Sequence, residues 1–80
     1  MAPMESVQAR VTALLVMGAG CDPDEVRPEA TLDELGLDSV ARTELLGQLE
    51  DAFGVYVAPE EAIHLETVGA VVEHVERNAS

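Results

Sequence analysis

Lysine and tryptophan are absent from this chain, and cysteine, phenylalanine and tyrosine occur once each. Each scarcity excludes something. With no Lys, the four basic residues are all Arg, set against sixteen Asp and Glu, for a formal net charge of −12. Such a surface repels nucleic acid and anionic membrane and is steered towards partners with basic patches. A single cysteine, Cys21, rules out an internal disulfide framework and leaves a cysteine metal cluster without a second ligand. Its neighbours Gly20 and Asp22 supply no base or cation to lower the thiol pKa, so it reads as an incidental loop thiol. With so few aromatics, any core is aliphatic. No apolar run approaches the roughly 20 residues of a membrane span. The start, MAPMESVQAR, lacks the basic-then-apolar pattern of a secretion signal. A cytoplasmic location is expected.

What is present is patterned. Apolar residues make up 48% of the chain, enough for one small core in one domain over residues 1–80. A first helix is expected over about 5–17, with Met4, Val7, Val11, Leu14 and Leu15 as its stripe, Pro3 before it and Gly18-Ala19-Gly20 ending it. A long connection to about Leu37 follows. Asp22-Pro23-Asp24-Glu25 reads as a capped single turn. Thr31-Leu32-Asp33-Glu34 fits a capping box. Val26, Leu32, Leu35 and Leu37 are apolar anchors that pack this loop against the rest.

The second helix is expected over about 39–53, with Asp38 as N-cap and Gly54 beyond its end. At ~100° per residue, Leu45, Leu46, Leu49 and Phe53 form its core stripe. Val40, Glu44, Gly47 and Asp51 lie opposite. Arg42 opposes the helix dipole, so its head is expected to pair with Asp33 or Glu34. Val55-Tyr56-Val57 reads as a connector with Val57 turned inward. A short helix over about 59–63 and a last one over about 67–77 complete the chain. Thr67 caps the last helix; Val68, Val71, Val72 and Val75 are its stripe, and Glu73, His74, Glu76 and Arg77 its wet side. The expected fold is all-α: a small bundle of three main helices and one short one, with a long loop between the first two.

Catalysis has little to stand on. The carboxylates lie on caps and exposed faces, and His64 and His74 sit on different elements. A hydrolase using Ser39 and His64 needs folding to bring them together. Asp22-Pro23-Asp24 with Asp33 imitates a calcium loop, but Arg27 stands where its glycine belongs and Pro28 follows, so no metal site is expected. Ser39 itself stands where helix amides and the dipole favour an anion. From the residues alone it is either a site for attaching an anionic group or a plain helix-start serine.

Leu35-Gly36-Leu37-Asp38-Ser39-Val40 resembles the phosphopantetheine attachment motif of acyl carrier proteins, usually written LGxDSL. The resemblance extends over Asp22 to Val26, Thr31 to Leu37, Glu44-Leu45-Leu46, Leu49-Glu50, Phe53-Gly54-Val55, Pro59 to Ala62 and Thr67-Val68, nearly the whole chain. It implies a carrier without catalysis of its own. A phosphopantetheinyl transferase uses coenzyme A and magnesium to attach 4′-phosphopantetheine to Ser39, and the thiol of that arm holds acyl groups as thioesters. It further implies that Asp38, the helix cap, helps orient the serine or its transferase's metal. The implied docking face for basic partner enzymes comprises Leu37, Val40, Glu44, Gly47, Asp51, Glu60, Glu61 and Ile63.

Expected partners are the transferase and acyltransferases, acyl-ligases or ketosynthases, met by a monomeric carrier. Val40 replaces the commoner Leu, and Ala41, Arg42 and Gly47 depart from primary fatty-acid carriers. The acidity sets the chain apart from typical peptidyl carriers. The reading is therefore a discrete carrier of a specialised polyketide or related acyl pathway. Its rivals are an aminoacyl or peptidyl carrier, a primary fatty-acid carrier, and a carrier-like module that is never modified.

Overall fold

The computed structural model describes residues 6–78, and within them four helices alternate with packed connections. Helix α1 spans Val7–Ala19. The Ser6 hydroxyl accepts the Ala9 amide, and Gly20 closes the far end by donating its N–H to Leu15 O. The helix thus runs two residues past the expected end at Met17, because the terminating geometry falls on Gly20 rather than Gly18. The expected residues Met4 and Glu5 lie outside the described part.

Helix α2 spans Ser39–Phe53, α3 Pro59–Ala62 and α4 Val68–Asn78. Helix α1 packs against both α2 and α4. Val11, Leu15, Leu45, Leu49, Val68, Val71 and Val75 form the centre of a single aliphatic cluster. At its edge, Arg10 lies over the Phe53 ring, 4.3 Å from the centroid, and donates to Ala52 O at 2.9 Å. This pins the start of α1 to the end of α2.

The connection from α1 to α2 is anchored throughout. Asp22 caps a 3-10 turn over Pro23–Glu25, accepting the Asp24 amide at 2.9 Å. Cys21, Val26, Leu32 and Leu37 are buried in the common core. Thr31 and Glu34 satisfy each other: Thr31 N–H donates to the Glu34 carboxylate at 2.9 Å, and Glu34 N–H to the Thr31 hydroxyl at 3.0 Å. The capping-box pattern thus closes a tight turn rather than opening a helix.

The loop is also stitched to the start of α4. Leu32 N–H donates to Glu66 O at 2.9 Å, Val68 N–H to Ala30 O at 3.0 Å and Gly69 N–H to Pro28 O at 2.8 Å. Two of the amides that a helix start leaves unpaired are thereby satisfied by loop carbonyls. An isolated antiparallel bridge joins Thr31 to Thr67, and no strand occurs among the described residues.

After α2, Val55 and Val57 both turn inward while Tyr56 stays exposed. The Glu50 carboxylate accepts the Val57 amide at 3.2 Å, which holds this extended segment without a partner strand. Helix α3 ends at Ala62, one residue before the expected end at Ile63. Thr67 caps α4, its hydroxyl accepting the Ala70 amide at 3.0 Å.

His74 is a correction. It was expected on the wet side, yet its side chain is 10% exposed and its Nε2 is buried without a partner. The cause is the segment after α2: Glu61 and Leu65 form a groove with His74, and Glu61 Oε2 lies 3.9 Å from His74 Nδ1. A stripe drawn on α4 alone does not contain that cover.

Candidate functional site

The turn Thr31 to Gly36 delivers the chain to α2. Leu35 N–H returns to Thr31 O, Gly36 N–H to Asp33 O and Leu37 N–H to Leu32 O. Gly36 has φ 84°, a left-handed conformation that a side chain would disfavour, and it turns Leu37 into the core. Leu37 is 2% exposed. It was expected on the docking face, and the structure corrects this: Leu37 is the buried anchor beneath the serine and offers no surface.

Asp38 follows in extended conformation, and its carboxylate accepts the Ala41 amide at 2.9 Å. That bond fixes the first turn of α2. Ser39 is the first helical residue and is exposed. Its carbonyl accepts the Thr43 hydroxyl at 2.9 Å, while its own hydroxyl has no hydrogen-bond partner among the described residues. The Arg42 guanidinium pairs with Asp33 Oδ1, bridging the helix back to the preceding turn. Its side chain is 34% exposed and that of Asp33 83%.

Val40, Glu44, Gly47 and Asp51 are all exposed and share the face of α2 opposite Leu45 and Leu49. Glu60 and Ile63 are exposed on and just after α3. Glu61 is exposed as well; it accepts the Ala58 amide at 3.3 Å and lies beside His74. His64 lines the groove with Glu61, Glu73, His74 and Arg77, and Ser39 is not part of that groove. No hydrogen bond joins Ser39 to a histidine among the described residues. No group of three metal-ligating side chains occurs among them either.

Two titratable groups are perturbed by their surroundings. Burial, with Glu25 nearby, pushes the Cys21 thiol up. It is a loop thiol, as expected, but a buried one that packs in the core with its sulfur 3.8 Å from Leu35 O. The Thr31 amide and then its hydroxyl hold the Glu34 carboxyl below the usual glutamate value of 4.5. A depressed folded-state pKa gives stability that is present above the ordinary glutamate pKa and lost as pH falls through the lowered folded-state value. Thermal melts of wild type and Glu34→Gln should therefore differ most near neutral pH, with wild type the more stable. The two curves should converge as pH falls below the ordinary glutamate range and on through the lowered Glu34 pKa.

The geometry presents a serine without activating it. The hydroxyl is exposed, no base among the described residues hydrogen-bonds to it, and the neighbouring carboxylate is committed to the helix cap. A serine so placed offers an accessible oxygen at the start of a capped helix. A covalently attached group fits here, since nothing among the described residues competes for the Ser39 oxygen and the first turn of α2 favours negative charge.

Comparison with known proteins agrees. The family model for the phosphopantetheine attachment site matches residues 9–75. Among solved structures, an acyl carrier protein from Thermotoga maritima is similar, at 27% identity over 88% of this chain and 82% of that one, with a TM-score of 0.77. The chain belongs to the phosphopantetheine attachment family, the acyl-carrier-like carriers whose group is covalently held 4′-phosphopantetheine.

Sequence reasoning missed the contact between Gly69 and Pro28 that seats the loop. A glycine in the first turn of α4 was its only signal, and that signal does not name a partner.

Proposed function

We propose that Ser39 is the attachment point and that residues 1–80 form a single carrier domain for acyl intermediates of a specialised polyketide or related acyl pathway. The observation that carries this reading is the exposed, unpaired Ser39 hydroxyl at the first position of a helix capped by Asp38. When attached, 4′-phosphopantetheine supplies a thiol that carries acyl groups as thioesters. The protein's own residues do the rest. Asp38 holds the first turn in register, Leu37 anchors it from below, and Gly36 sets the approach. Intact-mass measurement after incubation with coenzyme A and a phosphopantetheinyl transferase tests the attachment. Loading by acyltransferases or acyl-ligases, against loading by adenylation enzymes, separates an acyl carrier from an aminoacyl carrier.

Docking rests on Val40, Glu44, Gly47 and Asp51, extended by Glu60, Glu61 and Ile63. The arginines support this reading because each is engaged within the chain. Arg10 lies on Phe53, Arg27 donates to Asp24 O, Arg42 pairs with Asp33 and Arg77 with Glu73. The acidic face is therefore open to basic partner enzymes in the cytoplasm. Association of this kind is fast, weak and salt-sensitive. The double reversal Glu44→Lys with Asp51→Lys should slow loading by a partner enzyme about tenfold or more at low salt, an effect that shrinks as salt rises. Its stability should stay within about 0.5 kcal/mol of wild type, because both side chains are exposed. Unchanged loading rates at matched salt remove the docking face.

A further inference from the structure

Between residues 28 and 76 the chain has one Lys or Arg, and it stands three residues after Ser39. We propose that Arg42 binds the phosphodiester of the attached phosphopantetheine, exchanging Asp33 for that phosphate once Ser39 is modified. The inference rests on the assignment of Ser39 as the attachment point.

Four observations carry it. Residues three apart on a helix are neighbours, with Cβ atoms about 5–6 Å apart. Long helical side chains also lean towards the N-terminus, which directs Arg42 to the Ser39 end of α2. Its pairing with Asp33, in the turn before the helix, shows that lean directly.

Second, a cation in the first turn of a helix opposes the dipole, so its place there calls for an anion. Third, the anion it holds is replaceable. Asp33 is 83% exposed, and pairs this open contribute little. Fourth, a phosphodiester on Ser39 adds negative charge to a chain already at −12, next to Asp38. Asp38 cannot relieve this, because a carboxylate does not neutralise another anion; it serves the helix cap, accepting the Ala41 amide. The guanidinium presents paired N–H donors that match phosphate oxygens, and it is already within the same turn of helix.

Wild type, Arg42→Gln and Asp33→Asn, each over the full chain, are loaded with coenzyme A and a broad-specificity transferase until intact mass shows complete conversion. Phosphorus-31 NMR and thermal melts then compare unmodified and modified forms. The phosphorus resonance should shift between modified wild type and modified Arg42→Gln, with Asp33→Asn matching wild type. Attachment should raise the melting temperature about 2–5 °C more in wild type than in Arg42→Gln. Asp33→Asn should lower the melting temperature before attachment and leave it unchanged afterwards. Equal phosphorus shifts and equal melting gains in wild type and Arg42→Gln overturn the proposal while leaving Ser39 as the attachment point. If wild type gains no mass, both readings fall. If Arg42→Gln alone resists loading, Asp33→Asn decides, and an equal cost before and after attachment overturns the exchange.

Discussion

Replacing Leu49 with alanine lowers the unfolding free energy by about 2–5 kcal/mol, measured by urea or thermal unfolding. Leu49 is 0% exposed and lies on the face of α2 turned to the core. It shares one cluster with Val11, Leu15, Val68, Val71 and Val75, each no more than 1% exposed. Truncation there removes the transfer energy of the lost carbons and leaves a cavity that valines, stiff at their branched carbon, fill poorly. A chain this small has a total stability of only about 5–15 kcal/mol, so the loss is a large fraction of it. Val40→Ala on the opposite face, at 66% exposure, should change stability by about 0.5 kcal/mol or less. A near-neutral Leu49→Ala would mean that the faces of α2 are reversed.

Gly69→Ala is the second large effect, and its sign is set by a competition. Alanine in place of glycine in a helix is ordinarily favourable by up to about 1 kcal/mol. A Cβ at Gly69 would sit 2.9 Å from Pro28 O, closer than such contacts occur, and the obstacle is backbone rather than a pliable side chain. The loop must back away, which lengthens the Gly69 N–H bond to the same oxygen. The expected net result is a loss of about 1–3 kcal/mol. Amide exchange should accelerate at Leu32 and Val68, the other two stitches between loop and helix. Gly47→Ala is the control. Nothing lies within 4 Å of a Cβ there, so the same substitution should stabilise by about 0.5–1 kcal/mol. If both glycines respond alike, Pro28 does not clamp α4.

The contrast shows what a sequence displays and what it conceals. Periodicity located α2 and its two faces, and capping chemistry located Asp38, Thr67 and the Thr31–Glu34 turn. These are interactions within four residues, so the pattern that encodes them is local. The Arg42–Asp33 pair was legible for a similar reason: a cation misplaced on a dipole demands a nearby acid. Gly69 and Pro28 are far apart in sequence, and their approach follows only from how the loop lies on α4. His74 was misassigned because its cover comes from Glu61 and Leu65, outside its helix. Leu37 was misread because a leucine before a helix start can face partner or core. The turn at Gly36 decides that, and its φ of 84° sends Leu37 inward. The serine at the helix start was legible throughout; its freedom from any base needed the fold.

The most direct test is to locate the modification. The protein is incubated with coenzyme A and a phosphopantetheinyl transferase, then digested and sequenced by tandem mass spectrometry beside Ser39→Ala. The account predicts one added phosphopantetheine, found on Ser39 alone, and no gain in the variant. No gain in wild type, or a gain that survives Ser39→Ala, contradicts it.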